Sequence, residues 1–136
     1  PHCHILGAGA IGGLFAARLT ALGFMTTLIE RDPPATQRTL KLVTGAHEEL
    51  VSIETESPNA RGPVTLLWVA TKSHAVLEAV SSVAHRLTAE SVIVSLSNGL
   101  GYHEALEQKF PNRLIAGFTT AGVARVHPNK RLIASA

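Results

Sequence analysis

The chain has 136 residues, 46% of them hydrophobic and 16% charged, with 12 Lys+Arg against 10 Asp+Glu for a net charge of +2. That length and apolar content suit one domain with its own core and exclude a disordered protein. A single cysteine, Cys3, excludes an intrachain disulfide scaffold and points to a cytoplasmic setting, and the small, scattered cation excess lacks the clustered stripe of a nucleic-acid binder.

Short β-branched apolar runs alternate with helical stretches along the chain. A strand is predicted over 4–6, then a helix over 10–22. In that helix Ile11, Phe15, Leu19 and Leu22 recur at helical spacing, and Gly12, Gly13, Ala16 and Ala17 form a small-residue face. Gly23 fits the end of the helix. A second strand over 26–30 completes a βαβ unit. Within 5–29 Arg18 is the only charge, but five glycines interrupt the stretch, so neither a membrane span nor a signal peptide is expected. Short strands over 39–44 and 50–55 flank a turn at Gly45, and a loop runs from Pro58 to Pro63. The continuous apolar run 65–70 reads as a buried parallel strand. A helix is predicted over 73–87, with Val76, Val80, Val83 and Leu87 on one stripe. A strand over 91–96, a turn at Asn98-Gly99 and Gly101, a helix over 102–110 and a strand over 113–119 follow. A hairpin of 123–126 with 131–134 ends the pattern. The whole chain, 1–136, is therefore expected to form one α/β dinucleotide-binding domain. Its sheet should be Rossmann-type, doubly wound and mainly parallel, with helices on both faces and ligands at the carboxyl ends of the strands.

That edge collects the residues with chemistry. Gly7-Ala8-Gly9-Ala10-Ile11-Gly12 is a G-x-G-x-x-G turn between a predicted strand and a predicted helix. Gly7 permits the tight turn, Gly9 lets backbone approach a pyrophosphate, and Gly12 allows close packing of helix on strand. Free N–H groups at the helix start then favour phosphate. Glu30 stands 18 residues after Gly12, where an acid accepts hydrogen bonds from the adenosine ribose. Arg31 follows and can pair with a 2′-phosphate through its donor fork. The two point in different directions, Glu30 toward NAD and Arg31 toward NADP; both also suit a solvated loop entrance. Lys72 sits at a helix entrance, where a cation opposes the dipole by about 0.3–1 kcal/mol; an anionic ligand in the crevice would remove that conflict. Asn98 occupies the equivalent place after the next strand, although Asn-Gly is also a common turn pair.

The segments ILGAGAIGG, Arg31, LLWVATKSH, SLSNGLGYHEAL and GFTTAGVAR resemble the ketopantoate reductase (2-dehydropantoate 2-reductase) family in order and spacing over nearly all of the chain. The resemblance implies an NADPH-dependent enzyme that reduces the ketone of 2-dehydropantoate to pantoate, on the route to pantothenate and coenzyme A. It implies that Arg31 contacts the 2′-phosphate and that Lys72 and Asn98 line the site near nicotinamide and substrate. It also implies a second, mostly helical domain carrying the lysine general acid. No residue of the 136 takes that role, so the chain alone is expected to bind NADPH and turn over little or no substrate.

The expected partner is a small keto acid, with neither nucleic acid nor membrane. Two other readings stand beside this one: a nucleotide-sensing regulatory domain, which needs neither Lys72 nor Asn98, and a reductase of another small keto acid. His2-Cys3-His4 is not expected to bind metal, because on a strand the histidines face one side and the cysteine the other. Cys3 reads as a buried thiol. His74 and His103 lie near the proposed edge but read as surface residues, and the absence of G-x-S-x-G argues against a serine nucleophile.

Overall fold

The first apolar run forms strand β1 (Cys3–Leu6), and helix α1 (Ala10–Ala21) leaves directly from the glycine turn that ends it. The computed structural model describes residues 2–7, 9–33, 35–96, 103–110, 113–116, 122–127 and 131–135. Along these run β2 (Thr26–Ile29), β3 (Gln37–Thr44), β4 (His47–Glu56), β5 (Val64–Val69), α2 (Val76–Ser82), β6 (Leu87–Ser95), α3 (His103–Lys109), β7 (Arg113–Ala116), β8 (Gly122–His127) and β9 (Arg131–Ser135). The nine strands form one sheet in the order β7-β6-β5-β1-β2-β4-β3-β9-β8.

From β7 to β4 every pairing is parallel. This is the doubly wound order, which reverses direction between β1 and β5 and leaves a crevice there at the strands' carboxyl ends. Beyond β4 the sheet changes character. The expected short strands around Gly45 are longer and form an antiparallel hairpin, β3 against β4, and β9 joins β3 in parallel, with β8 antiparallel to it.

Side chains alternate across the central strands. Leu6, Ile29, Leu67 and Val69 pack with α2 and with Leu106 of α3, whereas Ile5 and Leu28 pack on the opposite face with Leu14, Ala16 and Ala17 of α1. Helices therefore cover both faces. No helix among the described residues is long and apolar enough to cross a membrane.

Two helix expectations need correction. In α1 the buried face is Gly12, Gly13, Leu14, Ala16 and Ala17. Phe15 and Leu19 only partly pack against the core, and Leu22 is 73% exposed. Small residues let the helix axis lie close to the sheet, and that places the larger stripe at the edge. The helix predicted over 73–87 is a 3₁₀ turn (Ser73–Ala75), the short α2 and a second 3₁₀ turn (Ala84–Arg86), with Leu87 already extended into β6. Ser81 and Ser82 donate back to the carbonyls of Leu77 and Ala79, at 2.7 and 2.5 Å, which weakens continuation of the helix. The valine stripe survives the break: Val76, Val80 and Val83 are all buried.

Candidate nucleotide-binding cleft

Parallel hydrogen bonding continues past the strand ends and draws them to a common level. Gly7 N–H donates to Ile29 O at 3.3 Å, Glu30 N–H to Glu56 O at 3.0 Å, Ala70 N–H to Leu6 O at 2.9 Å and Leu96 N–H to Val69 O at 2.8 Å. The predicted glycine turn, Glu30-Arg31 and the Ala70-Thr71 segment therefore share one rim. Between them opens a cleft of about 470 Å³, lined by Gly7, Gly9, Glu30, Arg31, Asp32 and Arg38 among others.

Each glycine of the turn has a separate role. Gly7 has φ +113°, and a Cβ there would also press on Thr71 Cγ2 at 3.0 Å and the Ala70 backbone at 3.1 Å. A Cβ on Gly12 would collide with the Gly7 carbonyl oxygen. These two glycines are needed by the protein itself. Gly9 is not: a Cβ there would meet no described atom within 4 Å. It caps α1 with no side-chain hydrogen bond and no acidic residue in the first turn, and the first intrahelical bond runs from Gly13 N–H to Gly9 O at 2.9 Å. The N–H groups of Ala10, Ile11 and Gly12 precede that bond and have no intrahelical acceptor. Ala8 lies outside the described residues.

Glu30 is not at a solvated entrance. It is 6% exposed and forms an ion pair with Arg38 at 3.0 Å. Arg31 is exposed beside it and also lines the cleft. Asp32 follows in a bend with φ +50°, a conformation Asp tolerates better than most residues. Sequence reasoning missed Arg38. It stands in β3 with the parity of Leu40 and Leu42, which pack in the same cluster as Leu28. Once β3 and β4 are placed beside β2, that parity puts Arg38 on the Glu30 side of the sheet.

Lys72 is exposed and heads the turn Ser73–Ala75, its carbonyl accepting from Ala75 N–H at 2.9 Å. It follows Thr71, which lines the cleft, but does not itself line it. Asn98 lies outside the described residues, as do the turn around Gly101 and residues 117–121 of the GFTTAGVAR segment.

Away from the cleft lining, a second ionic network holds the crossover that follows β4. Arg86, buried, donates to Glu56 Oε1 at 2.5 Å and to the carbonyls of Gly62 and Arg61 at 2.9 and 3.5 Å. It ties down the crossover 57–63, whose Pro58 reaches the cleft wall. His4 approaches the same carboxylate at 3.6 Å and stacks on His2 with ring centroids 4.2 Å apart. The two histidines thus share one side of β1, while Cys3 is buried. Among the described residues no three His, Cys, Asp or Glu side chains gather as a metal site.

A nucleotide fits this arrangement on the protein's own evidence. Gly9 leaves open space at the start of α1, beside N–H groups with no intrahelical acceptor. Glu30 Oε2 and Arg38 Nε are buried without a hydrogen-bond partner among the described residues.

The family model described as ketopantoate reductase PanE/ApbA matches residues 3–134. A 2-dehydropantoate 2-reductase of Pyrococcus abyssi is 35% identical over 122 residues, which cover 88% of this chain and 40% of that protein. Among solved structures, a PanE/ApbA family ketopantoate reductase from Ralstonia eutropha superposes with a TM-score of 0.87 at 23% identity, over 100% of this chain and 47% of that one. D-mandelate dehydrogenase, in a ternary structure with NADH and anilino(oxo)acetate, has the same fold, with a TM-score of 0.85 at 18% identity over 100% of this chain and 46% of its own. The chain thus spans less than half the length of these relatives.

Proposed function

The chain belongs to the ketopantoate reductase family, and we propose that it forms the NADPH-binding part of an enzyme that reduces the ketone of 2-dehydropantoate to pantoate. The observation that carries the proposal is the cleft itself, where the G-x-G-x-x-G turn meets Glu30 and Arg31 at the crevice beside β1. Family membership favours an oxidoreductase over a stand-alone sensing domain.

In this reading the space at Gly9 and the open N–H groups of the first turn of α1 hold the pyrophosphate. Arg31, free in solvent at the cleft mouth, pairs with the 2′-phosphate and selects NADP over NAD. The bound nicotinamide supplies the hydride. Lys72 and Asn98 hold the keto acid: the Lys72 ammonium stabilises the substrate's carboxylate or the developing oxyanion, and its exposure lets it reach across the rim. Proton delivery is assigned to a lysine outside these 136 residues, so the chain alone binds NADPH and turns over 2-dehydropantoate little or not at all. A cytoplasmic setting suits the reduced cofactor and the lone thiol.

Titration with NADPH and NADH tests the proposal. Arg31→Ala is expected to weaken NADPH by about tenfold or more and NADH far less, since a charge-assisted pair is worth about 1.5–3 kcal/mol. Equal losses for both cofactors would remove Arg31 from the 2′-phosphate. In a polypeptide carrying the full relatives' length, Lys72→Ala should cut turnover while sparing NADPH affinity.

A further inference from the structure

A carboxylate at the end of β2 is adverse to a phosphate on the 2′ position, yet Glu30 is buried there. Arg38 changes its meaning. The two side chains are 5% and 12% exposed and lie 3.0 Å apart. Each still holds one buried polar atom without a hydrogen-bond partner among the described residues: the acceptor Glu30 Oε2 and the donor Arg38 Nε. Buried polar groups are normally satisfied, so two unsatisfied atoms on a pair that lines the cleft mark a place a ligand can complete. The complement is one hydrogen-bond donor and one acceptor. A ribose with a free 3′-hydroxyl and a 2′-phosphate presents that pair.

The charge count points the same way. Glu30, Arg31, Asp32 and Arg38 line this part of the cleft and cancel in formal charge. Without Arg38 the wall is left with an excess negative charge, and a phosphate dianion is repelled. We propose that Arg38 is a specificity-determining residue of the adenosine-ribose subsite. Its guanidinium neutralises Glu30 and shares the 2′-phosphate with Arg31, while Glu30 accepts a hydrogen bond from the neighbouring ribose hydroxyl. The proposal rests on the nucleotide reading of the cleft, and not on which keto acid is reduced.

The test is calorimetric titration of the 136-residue chain with adenosine 2′,5′-bisphosphate and with 5′-AMP. Arg38→Met should lower affinity for the bisphosphate by about tenfold or more and for 5′-AMP much less, as expected for one charge-assisted contact plus the repulsion of an exposed carboxylate. Adding Glu30→Gln to that variant should restore part of the loss, because the repelling charge is gone. Equal losses for both nucleotides overturn the proposal. Breaking a buried pair can unfold a protein. If Arg38→Met does not fold, the double variant, which leaves no charge of the pair uncompensated, carries the same test: it should still show less preference for the bisphosphate than the unmodified chain, and an unchanged preference overturns the proposal. If the unmodified chain binds neither nucleotide, the nucleotide reading of the cleft falls together with this one. If it discriminates between them through Arg38 but the longer enzyme fails to reduce 2-dehydropantoate, only the substrate reading falls.

Discussion

Gly9 and Gly12 occupy the same motif for opposite reasons, and a single methyl group separates them. At Gly12 the added Cβ strikes the Gly7 carbonyl, so Gly12→Ala must push α1 away from β1. Its cost should be about 2–4 kcal/mol, in the range of overpacking a tight backbone contact. At Gly9 the backbone is extended, with φ −71° and ψ −172°, and the Cβ meets no described atom within 4 Å. Gly9→Ala should leave stability within about 0.5 kcal/mol, as for an unconstrained surface change, yet weaken NADPH binding by about tenfold or more because its methyl group occupies the space proposed for the pyrophosphate. Urea unfolding and cofactor titration on the two variants check both halves; a destabilised Gly9→Ala with intact binding would reverse the assignment. The glycine turn was legible in the sequence because its spacing encodes local geometry. Glu30 was legible as a position but not as an environment. Its partner Arg38 lies eight residues on, in a stretch without strong periodicity, and their meeting depends on β3 folding back beside β4.

At the scale of elements, strands were easier to read than helices. The apolar runs of β1, β5 and β6 have few alternatives to a buried parallel strand. The segment after β5 has the pattern of one helix because Val76, Val80 and Val83 keep helical spacing, but that spacing reports only which side is buried. Arg86 ends the helical stretch, held by Glu56 and by two carbonyls of the 57–63 crossover, and these are partners from elsewhere in the chain. The same network carries a pH dependence. Burial, then the neighbouring His2 charge, pushes the His4 imidazole down from its ordinary 6.5 to about 4; Arg86 adds to this and Glu56 opposes it. Below pH 6.5 the unfolded chain takes up a proton that the folded chain refuses until about pH 4. Stability from this site is therefore complete above pH 6.5 and lost as the pH falls toward 4. The loss should approach about 2–3 kcal/mol at the acid end of that window. Unfolding by urea at pH 7 and at about pH 4.5, a point inside the window, should show the unmodified chain losing more stability than His4→Gln. Parallel profiles for the two would place the acid sensitivity elsewhere.

Across the whole molecule, the rim joins residues that are far apart in sequence: Gly7, Glu30, Ala70 and Leu96 are levelled by four backbone hydrogen bonds between neighbouring strands. The sequence already implied this arrangement, because repeated βα units leave few topologies and each brings carboxyl ends together. What it left open was the mixed extension through β3, β9 and β8, since pairing beyond β4 depends on which sheet edge is exposed. That extension supplies Arg38, so a strand beyond β2 and β4 contributes to a cleft at the end of β1. A ligand held there bridges the end of β1, the start of α1 and the end of β2, and binds only when all three are in place. Its binding energy is then added to the stability of the whole fold. At a free concentration about a hundred times Kd the gain is about 2.7 kcal/mol, which for a domain of this size raises Tm by roughly 5–10 °C. Thermal denaturation with NADPH should show that rise in the unmodified chain and a much smaller one at the same concentration in Gly9→Ala. NADH should stabilise less than NADPH at equal concentration, because it lacks the group that Arg31 and Arg38 are proposed to hold. A rise of equal size with both cofactors would mean that the cleft reads only the pyrophosphate and that the charges at the end of β2 serve the fold alone.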